Sequence, residues 1–362
     1  MRVAVDATPL LGHTTGVGRY VAQLLPALAA LPDAPELVLT AFSRSGGQPP
    51  VHGATWAPRR LPARLLQQTW RHTNLPPAEW LTGSTDVFHA TNFVLPPTRR
   101  AAGLVTIHDL TFDRYPSLVT PAVARYQHLV PRSLAMAQIV LVCSQAVAVE
   151  VRDRYPTAAE KIRVAPLGVD PDWFQAAPPS SDWLSARDIP SDYLLAVGTL
   201  EPRKNLRRLV AAHRSLRATD PECPLLVIVG PPGWGEPLQA DPEHVVLTGW
   251  LEDDQLRALT AGARVLAYPS LYEGFGLPPL EAFACGTAVA CSDLPALREV
   301  LGTLPEYANP EDIGDIAEAL ARALASPAAT GEVRRQHARR WTWQACATKT
   351  REAYDEALAL SR

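Results

Sequence analysis

The sequence lacks the features that mark membrane and secreted proteins. No apolar run in its 362 residues approaches the length of a membrane span. Only three apolar residues separate Arg2 from Asp6, too few for the apolar segment of a signal peptide. The five cysteines are odd in number and form no Cys-x-x-Cys pair, so we interpret them as reduced, small hydrophobic residues. These absences predict a cytoplasmic protein.

A strong charge of either sign is also missing. The formal net charge is −3, with 47% hydrophobic and 20% charged residues, which is normal for a globular protein. Such a charge gives no overall attraction to nucleic acid, so no nucleic-acid partner is expected. The length suits two domains of roughly 150–200 residues each.

Short apolar runs alternate with segments of helical periodicity. Apolar runs with little polar alternation are typical of parallel strands covered by helices on both faces. This alternation of strands and helices weakens in residues 171–190, which are rich in Pro, Ser and Asp and are interpreted as an interdomain connection. The sequence therefore predicts two doubly wound α/β domains. The predicted strands are 2–6, 36–42, 86–90, 104–109 and 139–144, then 193–198, 224–230, 244–249, 264–270 and 287–292.

Polar residues lie at the carboxyl ends of two predicted strands of the first half, where ligands of parallel sheets bind. His89 lies near the end of the strand 86–90 and Asn92 follows it. His89 either faces a ligand or bonds to a nearby loop. His108 and Asp109 suggest a hydrolase dyad, but neighbours on a strand point to opposite faces. Since no Gly-x-Ser-x-Gly elbow supplies a nucleophile, hydrolysis is disfavoured.

Three turns carry signals for anion or metal binding. Gly16 and Gly18 lack dinucleotide-fingerprint spacing, yet a Gly-rich turn before a helix either presents amides to a phosphate or is a plain turn. Arg203 and Lys204 open a predicted helix over 203–216, where cations oppose the helix dipole, which suggests a bound anion. The acids at 252–254 suggest a metal, but first-turn acids of a helix starting at Asp253 are the preferred interpretation.

The stretch YEGFGLPPLEAFACG, residues 272–286, lies between a predicted strand and a short predicted helix. Gly274 and Gly276 let the backbone approach a ligand, and the helix start adds free amides, a combination that suits a diphosphate. Glu281 is placed in the first turn of this helix, where it either caps the helix or binds a ribose diol. Glu273 precedes both glycines and does not fit a capping role.

Together these motifs resemble the retaining glycosyltransferases of family 4, in particular bacterial mannosyltransferases of surface-polysaccharide pathways. EGFGLPPLE resembles their Glu-x7-Glu motif, GTLEPRKN their phosphate-binding turn, and TIHDL and GVGRY their amino-terminal motifs. The resemblance covers the whole chain and implies the GT-B fold, two Rossmann-like domains facing a central cleft. The acceptor domain would be residues 1–170, the nucleotide-sugar domain 171–340, and residues 341–362 a helix that crosses back to the first domain.

The resemblance also implies roles for individual residues. Lys204 and Arg203 would hold the donor diphosphate, and Glu273 would contact a sugar hydroxyl near the reacting carbon. His108 would face the transferred sugar, and Glu281 would bind the ribose. The remaining donor contacts would be the amides around Gly16 and Gly18, those of Gly274, Phe275, Gly276 and Leu277, and Trp250 and Leu251 beside the base. Thr199 stands where some members carry a diphosphate-binding arginine, which leaves the donor open.

The implied enzyme is a retaining, metal-independent hexosyltransferase that needs no cofactor. Its donor would be a nucleoside diphosphate sugar, with GDP-mannose favoured over UDP- and dTDP-sugars. Its acceptor would be a glycan or glycolipid hydroxyl in polysaccharide or glycolipid synthesis. Two alternatives stay open: a sugar-nucleotide epimerase of the same fold, which would need no acceptor, and a non-catalytic nucleotide-sugar-binding subunit.

The segment 59–80 mixes four arginines with Leu65, Leu66 and Trp70. An amphipathic helix of this composition either makes peripheral contact with the inner membrane face or a lipid acceptor, or is an ordinary surface helix with one apolar side. The ordinary surface helix is favoured.

Overall fold

The computed structural model describes residues 1–11, 16–42, 54–57 and 63–361. The chain divides into two compact units. The first contains Met1–Gly168 together with Thr342–Arg362, and the second contains Val169–Trp341. The sequence placed these divisions at residues 170 and 340.

The first unit is built on a parallel sheet, with seven strands within the described residues. Its strand order is β3-β2-β1-β4-β5-β6-β7. The inner strands are buried almost throughout, because helices cover both faces, and this burial explains their continuous apolar sequences. The strands are β1 (Arg2–Asp6), β2 (Glu36–Thr40), β3 (Thr55–Trp56), β4 (Val87–Ala90), β5 (Ala102–Ile107), β6 (Ile139–Val142) and β7 (Ile162–Val164).

Helices and short 3-10 turns connect these strands. The first helix buries Tyr20, Leu24 and Leu28 along one side, at the four-residue spacing of a helix face, and packs against the last helix of the chain, Trp343–Leu360. The helices of this unit before residue 168 are α1 (Gly16–Ala29), α2 (Ala63–His72), α3 (Glu79–Thr82), α4 (Thr111–Arg114), α5 (Pro121–Ala124), α6 (Tyr126–Met136) and α7 (Gln145–Arg154).

A buried hydrogen-bond chain joins the last helix of the chain to the sheet of the first unit. His89 Nδ1 lies 2.8 Å from Tyr354 Oη, and its Nε2 lies 2.8 Å from Thr106 Oγ1. Burial lowers the pKa of His89 to about 3, so the ring is neutral and supplies one donor and one acceptor. Both ring nitrogens are occupied and the side chain is fully buried, so His89 is a structural residue rather than a ligand-facing one.

The second unit repeats the architecture with a parallel sheet of six strands, counted over its described residues, in the order β10-β9-β8-β11-β12-β13. Its strands are β8 (Tyr193–Val197), β9 (Leu225–Val229), β10 (Val245–Gly249), β11 (Val265–Tyr268), β12 (Ala288–Ser292) and β13 (Glu306–Ala308). Its helices are α8 (Ser181–Ser185), α9 (Leu206–Thr219), α10 (Asp253–Gly262), α11 (Leu277–Cys285), α12 (Pro295–Leu301), α13 (Ile313–Leu324) and α14 (Thr330–Ala338), and the last helix of the chain is α15 (Trp343–Leu360). The predicted pair of doubly wound domains is confirmed.

The interpretation of residues 171–190 as a connection between domains is wrong. Trp173, Leu184 and Ile189 are buried in the second unit, and the segment forms a 3-10 turn followed by α8. One proline and one serine of the segment serve as helix starts: Pro171 begins the 3-10 turn and Ser180 caps α8.

The segment 59–80 forms α2 and α3 within its described part, and Arg59 and Arg60 lie outside the described residues. Leu66 and Trp70 are buried, and the Trp70 ring meets that of Phe42 edge to face at 5.7 Å. The apolar side of α2 therefore packs into its own unit, while Leu65 is exposed. Among the helices of the described ranges, none has the length and apolar character needed to cross a bilayer.

Candidate active site

Two loops that carry predicted site residues meet at the carboxyl ends of β8 and β11. These strands are neighbours in the sheet of the second unit, so their carboxyl ends lie at the same edge. A 3-10 turn, Pro202–Lys204, follows β8, and the residues after Tyr268 follow β11. The amide of Leu271 donates to the carbonyl of Arg203 at 2.9 Å, which joins the two loops directly.

An ionic cluster forms where these loops touch. Lys204 Nζ lies 2.8 Å from Glu273 Oε1 and donates a hydrogen bond to Tyr268 Oη at 2.8 Å. Arg203 Nη1 lies 3.0 Å from the same Oε1, and its Nη2 lies 2.8 Å from Glu201 Oε1. The four charged side chains are only 8–18% exposed. The charges of two cations and two carboxylates therefore neutralise one another in a cluster with little access to solvent.

Burial and charge act in opposite directions on Glu273. Burial alone would raise the pKa of this carboxyl, but Arg203 and Lys204 outweigh it and lower the pKa to about 2. Burial lowers the pKa of Lys204, while Glu273 opposes that shift. Glu273 is thus a permanent carboxylate at neutral pH. It can accept hydrogen bonds from a ligand but has no proton to give.

The predicted helix over 203–216 begins later than expected. The helix α9 starts at Leu206, because Asn205 adopts the left-handed conformation with φ 59° and separates the 3-10 turn from the helix. The side-chain amide nitrogen of Asn205, Nδ2, donates to the carbonyls of Pro269 and Pro310 at 3.0 and 2.6 Å. The dipole argument for a bound anion therefore fails, since Arg203 and Lys204 lie outside α9 and have a carboxylate partner in the chain itself. The sequence places Asn205 between the strand and the helix, but its left-handed conformation was not predicted, although asparagine tolerates this conformation better than most residues.

Gly198 leaves room for the aliphatic part of the Lys204 side chain. A Cβ built on Gly198 would lie 3.1–3.3 Å from the Lys204 carbons Cγ, Cδ and Cε, and the φ of Gly198 is +150°. The Gly198 carbonyl in turn packs against Gly230, because a Cβ built on Gly230 would lie only 1.9 Å from the Gly198 carbonyl oxygen. The course of the Lys204 side chain therefore requires a residue without a side chain directly after β8.

The predicted loop-to-helix transition at Gly276 is present. Gly276 has φ 98° and precedes α11, whose first turn contains Pro278 and Pro279. A Cβ on Gly276 would come within 2.3 Å of Leu297 Cδ2, so the close backbone packing needs glycine here. Phe275 and Leu277 are buried beside it, and Gly274 precedes them in the same loop.

Glu281 lies deeper than predicted. It is the fifth residue of α11 rather than a first-turn acid, and the first turn of α11 contains no acidic residue. Its side chain is buried at 4% exposure. A helix-capping role is therefore excluded, which leaves the ribose contact as the remaining prediction for this carboxylate.

The loop after β10 contains the other predicted residues of the second unit. Trp250 is 38% exposed and Leu251 is buried, and β9 separates their strand from β8. The acids at 252–254 begin α10 as expected, with Glu252 and Gln255 forming a capping box. Over the described ranges, no group of three or more His, Cys, Asp or Glu residues could hold a metal ion. Thr199 directly follows Gly198 in the loop after β8.

The predicted residues of the first unit lie at the carboxyl edge of its sheet. His108 Nε2 donates to the carbonyl of Thr91 at 2.8 Å, and burial lowers the pKa of the ring, which is therefore neutral with Nδ1 as an acceptor. Asp109 Oδ1 accepts the amide of Thr111 at 2.9 Å, which is a turn contact and gives no dyad with His108. Gly16 is the first residue of α1, where a Cβ would meet no atom of the described residues within 4 Å.

The chain matches two glycosyltransferase family profiles. Residues 14–173 match the profile described as "Glycosyltransferase Family 4", and residues 191–326 match "Glycosyl transferases group 1". The two matches fall in the first and second units, respectively, apart from a few residues at the boundary.

Known proteins resemble the chain over most of its length. It is 30% identical to the O-antigen chain mannosyltransferase B of Escherichia coli, over 98% of this chain and 99% of that protein. It is 32% identical to the MMP alpha-(1->4)-mannosyltransferase of Mycolicibacterium hassiacum, over 70% of this chain and 64% of that protein. In fold it is similar to sucrose-phosphate synthase from Thermosynechococcus elongatus, with a TM-score of 0.74, 22% identity and 99% coverage of both chains.

The packing of Lys204 over Gly198 predicts that Gly198→Ala is costly. A Cβ would crowd the lysine stem at a φ that side chains rarely adopt, a strain of about 1–3 kcal/mol. The control is Gly16→Ala, where the added methyl meets no atom of the described part of the chain and should be neutral or slightly stabilising. Thermal unfolding followed by circular dichroism should show a lower midpoint for Gly198→Ala alone. Equal midpoints for the two variants would contradict the packing described here.

Proposed function

The chain belongs to the family 4 glycosyltransferases, and from this premise we propose that it transfers a mannosyl residue from a nucleoside diphosphate mannose to a glycan hydroxyl with retention of configuration. GDP-mannose is the first candidate donor. The sugar is proposed because the two relatives described above are named mannosyltransferases. The ionic cluster of Arg203, Lys204 and Glu273 at the loop before α11 is the observation that supports the site.

The cluster would bind and stabilise the donor diphosphate. When the bond from the sugar to the diphosphate breaks, the leaving phosphate gains negative charge, and fixed cations and amides beside it lower the barrier. Because Glu273 and Glu201 already neutralise Arg203 and Lys204, side chains alone leave little net positive charge for a diphosphate. The amides of Gly274 to Leu277 and the amino end of α11 would supply the remaining donors.

Glu273 would act as a fixed hydrogen-bond acceptor for a hydroxyl of the donor sugar. Its two cationic neighbours hold it in place and keep it ionised, so a developing positive charge at the reacting carbon would be stabilised. With a pKa of about 2, Glu273 cannot protonate the leaving group at neutral pH. The departing phosphate is therefore proposed to take the proton of the acceptor hydroxyl on the same face of the sugar, without a separate base.

His108 and Glu281 keep their proposed contacts with the donor. The neutral His108 ring has its Nε2 proton occupied by Thr91, so its Nδ1 would accept a hydrogen bond from a hydroxyl of the transferred sugar. Glu281 would bind the ribose diol. A contact of this kind is present in both ground and transition states, so it should affect donor KM more than kcat.

The function is tested by presenting GDP-, UDP- and dTDP-sugars with and without an α-mannooligosaccharide. We expect GDP-mannose to be consumed in an acceptor-dependent reaction that lengthens the oligosaccharide by one hexose. The anomeric carbon–proton coupling in NMR should identify the new linkage as α. A β linkage would refute retention, and conversion of the donor to an isomer of equal mass without acceptor would favour an epimerase.

Transfer should continue in EDTA. The proposal assigns charge stabilisation to Lys204, Arg203 and backbone amides, so removing divalent ions should leave the initial rate within about twofold. Loss of a catalytic metal would instead remove several kcal/mol of transition-state stabilisation and lower the rate by orders of magnitude. The measurement is nucleotide release with and without chelator after passage of the enzyme over a chelating resin. A rate that is lost in EDTA and restored by Mg²⁺ or Mn²⁺ would overturn metal independence.

A further inference from the structure

A cavity of about 180 Å³ with one polar and one apolar side lies within the first unit, at the carboxyl ends of β1 and β4. Asp6 ends β1, Asn92 follows β4, Trp70 comes from α2 and Tyr126 from α6. None of the roles proposed above uses these four residues. The cavity opens at the same sheet edge as His108, which follows the neighbouring strand β5.

One side of the cavity offers hydrogen-bonding groups that are held in position. Asp6 Oδ1 accepts the amide and the hydroxyl of Thr8, which fix the carboxylate. Asn92 Oδ1 is buried and finds no partner within the described ranges. A buried oxygen without a partner costs free energy, and a ligand hydroxyl would satisfy it. Tyr126 adds a hydroxyl that can donate or accept.

The other side is apolar and rigid. Trp70 and Phe42 both line the cavity, and their rings meet edge to face at 5.7 Å. The indole N–H of Trp70 donates to the carbonyl of Pro76 at 2.9 Å, so the ring is held in place. An aromatic wall opposite a carboxylate, an amide and a phenol suits a ligand with one C–H face and several hydroxyls. Among the described residues that line the cavity there is no lysine or arginine to pair with a phosphate.

Aromatic ring contacts connect this cavity to His108. The Tyr126 ring lies 4.9 Å from that of Phe93, and Phe93 meets the His108 ring edge to face at 5.9 Å. A group that contacts Tyr126 in the cavity would therefore be separated by two aromatic rings, Tyr126 and Phe93, from the residue proposed to contact the transferred sugar. The cavity is also smaller than the ~300–1,000 Å³ of ordinary ligand pockets, a size that suits a single sugar ring rather than an oligosaccharide.

We propose that this cavity binds one neutral pyranose ring of the acceptor glycan. Asp6 and Asn92 accept hydrogen bonds from its hydroxyls, Tyr126 hydrogen-bonds a further hydroxyl, and Trp70 packs against its C–H face. This inference rests on the proposed glycosyl transfer for its biological meaning, since it makes the cavity an acceptor subsite.

Kinetics with an α-mannooligosaccharide acceptor give the first test. Tyr126→Phe removes only the hydroxyl and keeps the ring on Phe93, so acceptor KM should rise about 3–10-fold, the value of one net hydrogen bond, with kcat nearly unchanged. Asn92→Ala should raise acceptor KM by at least as much. The matched control is Tyr155→Phe, the same change in a half-buried tyrosine outside the cavity, which should keep the wild-type KM.

Direct binding in the absence of donor gives the second test. Saturation-transfer NMR should detect methyl α-D-mannopyranoside on the wild type and on Tyr155→Phe, with a clearly weaker signal on Tyr126→Phe and Asn92→Ala. If no nucleotide sugar is transferred but this binding pattern holds, the proposed function fails and the sugar site stands. If transfer occurs and both cavity variants keep the wild-type acceptor KM, the inference is overturned and the function stands. Absence of probe binding to the wild type, or tighter binding of mannose 6-phosphate, also overturns it.

Discussion

The ion pair between Lys204 and Glu273 is the interaction on which the loop edge of the second unit depends. It joins the turn after β8 to the loop after β11, two segments nearly seventy positions apart in the chain. Several neighbouring residues accommodate it. Gly198 leaves room for the lysine stem, and Asn205 turns the chain so that Lys204 precedes α9 instead of starting it. Tyr268 receives a further hydrogen bond from the ammonium group.

Stability alone does not explain this cluster. Burying an ion pair costs desolvation that the Coulomb attraction only partly offsets, and replacing such a pair with apolar residues is often neutral or stabilising. Here four charged groups share one largely dehydrated place. A cluster of this kind is better explained by preorganisation, because fixed charges need no rearrangement when a reacting group develops charge. A glycosyltransferase needs such groups at the leaving diphosphate and the reacting sugar carbon.

Much of the fold could be predicted from the sequence because its strands are buried on both faces. Each of the ten predicted strands overlaps an observed one, as 36–42 does with Glu36–Thr40. The strands that were missed, β3, β7 and β13, have two or three residues each, too few for a periodic pattern. The Pro- and Ser-rich composition misled the prediction at 171–190, where Pro171 begins a 3-10 turn and Ser180 caps α8 within a packed segment.

The site was predicted in part. The two motif loops could be placed at one sheet edge, because ligands of parallel sheets bind beyond the carboxyl ends of the strands. The pairing of Lys204 with Glu273 could not, since it depends on which strands are neighbours, and β8 and β11 are not consecutive. The depth of Glu281 was misjudged because the helix start was placed too close to it. The acceptor cavity has no local motif, since Asp6, Asn92 and Tyr126 meet only through the fold.

A double-mutant cycle on the ion pair tests the central claim, that Lys204 and Glu273 act as one catalytic unit. The kcat/KM for GDP-mannose is measured for the wild type, Lys204→Met, Glu273→Gln and the double variant, with thermal midpoints to confirm folding. Each single change should lower kcat/KM by about 10²-fold or more, as losses of preorganised charge do. The double variant should lose little more than the worse single variant, because groups that act together are strongly non-additive. A loss equal to the product of the two single losses would show that they act independently and would contradict the account.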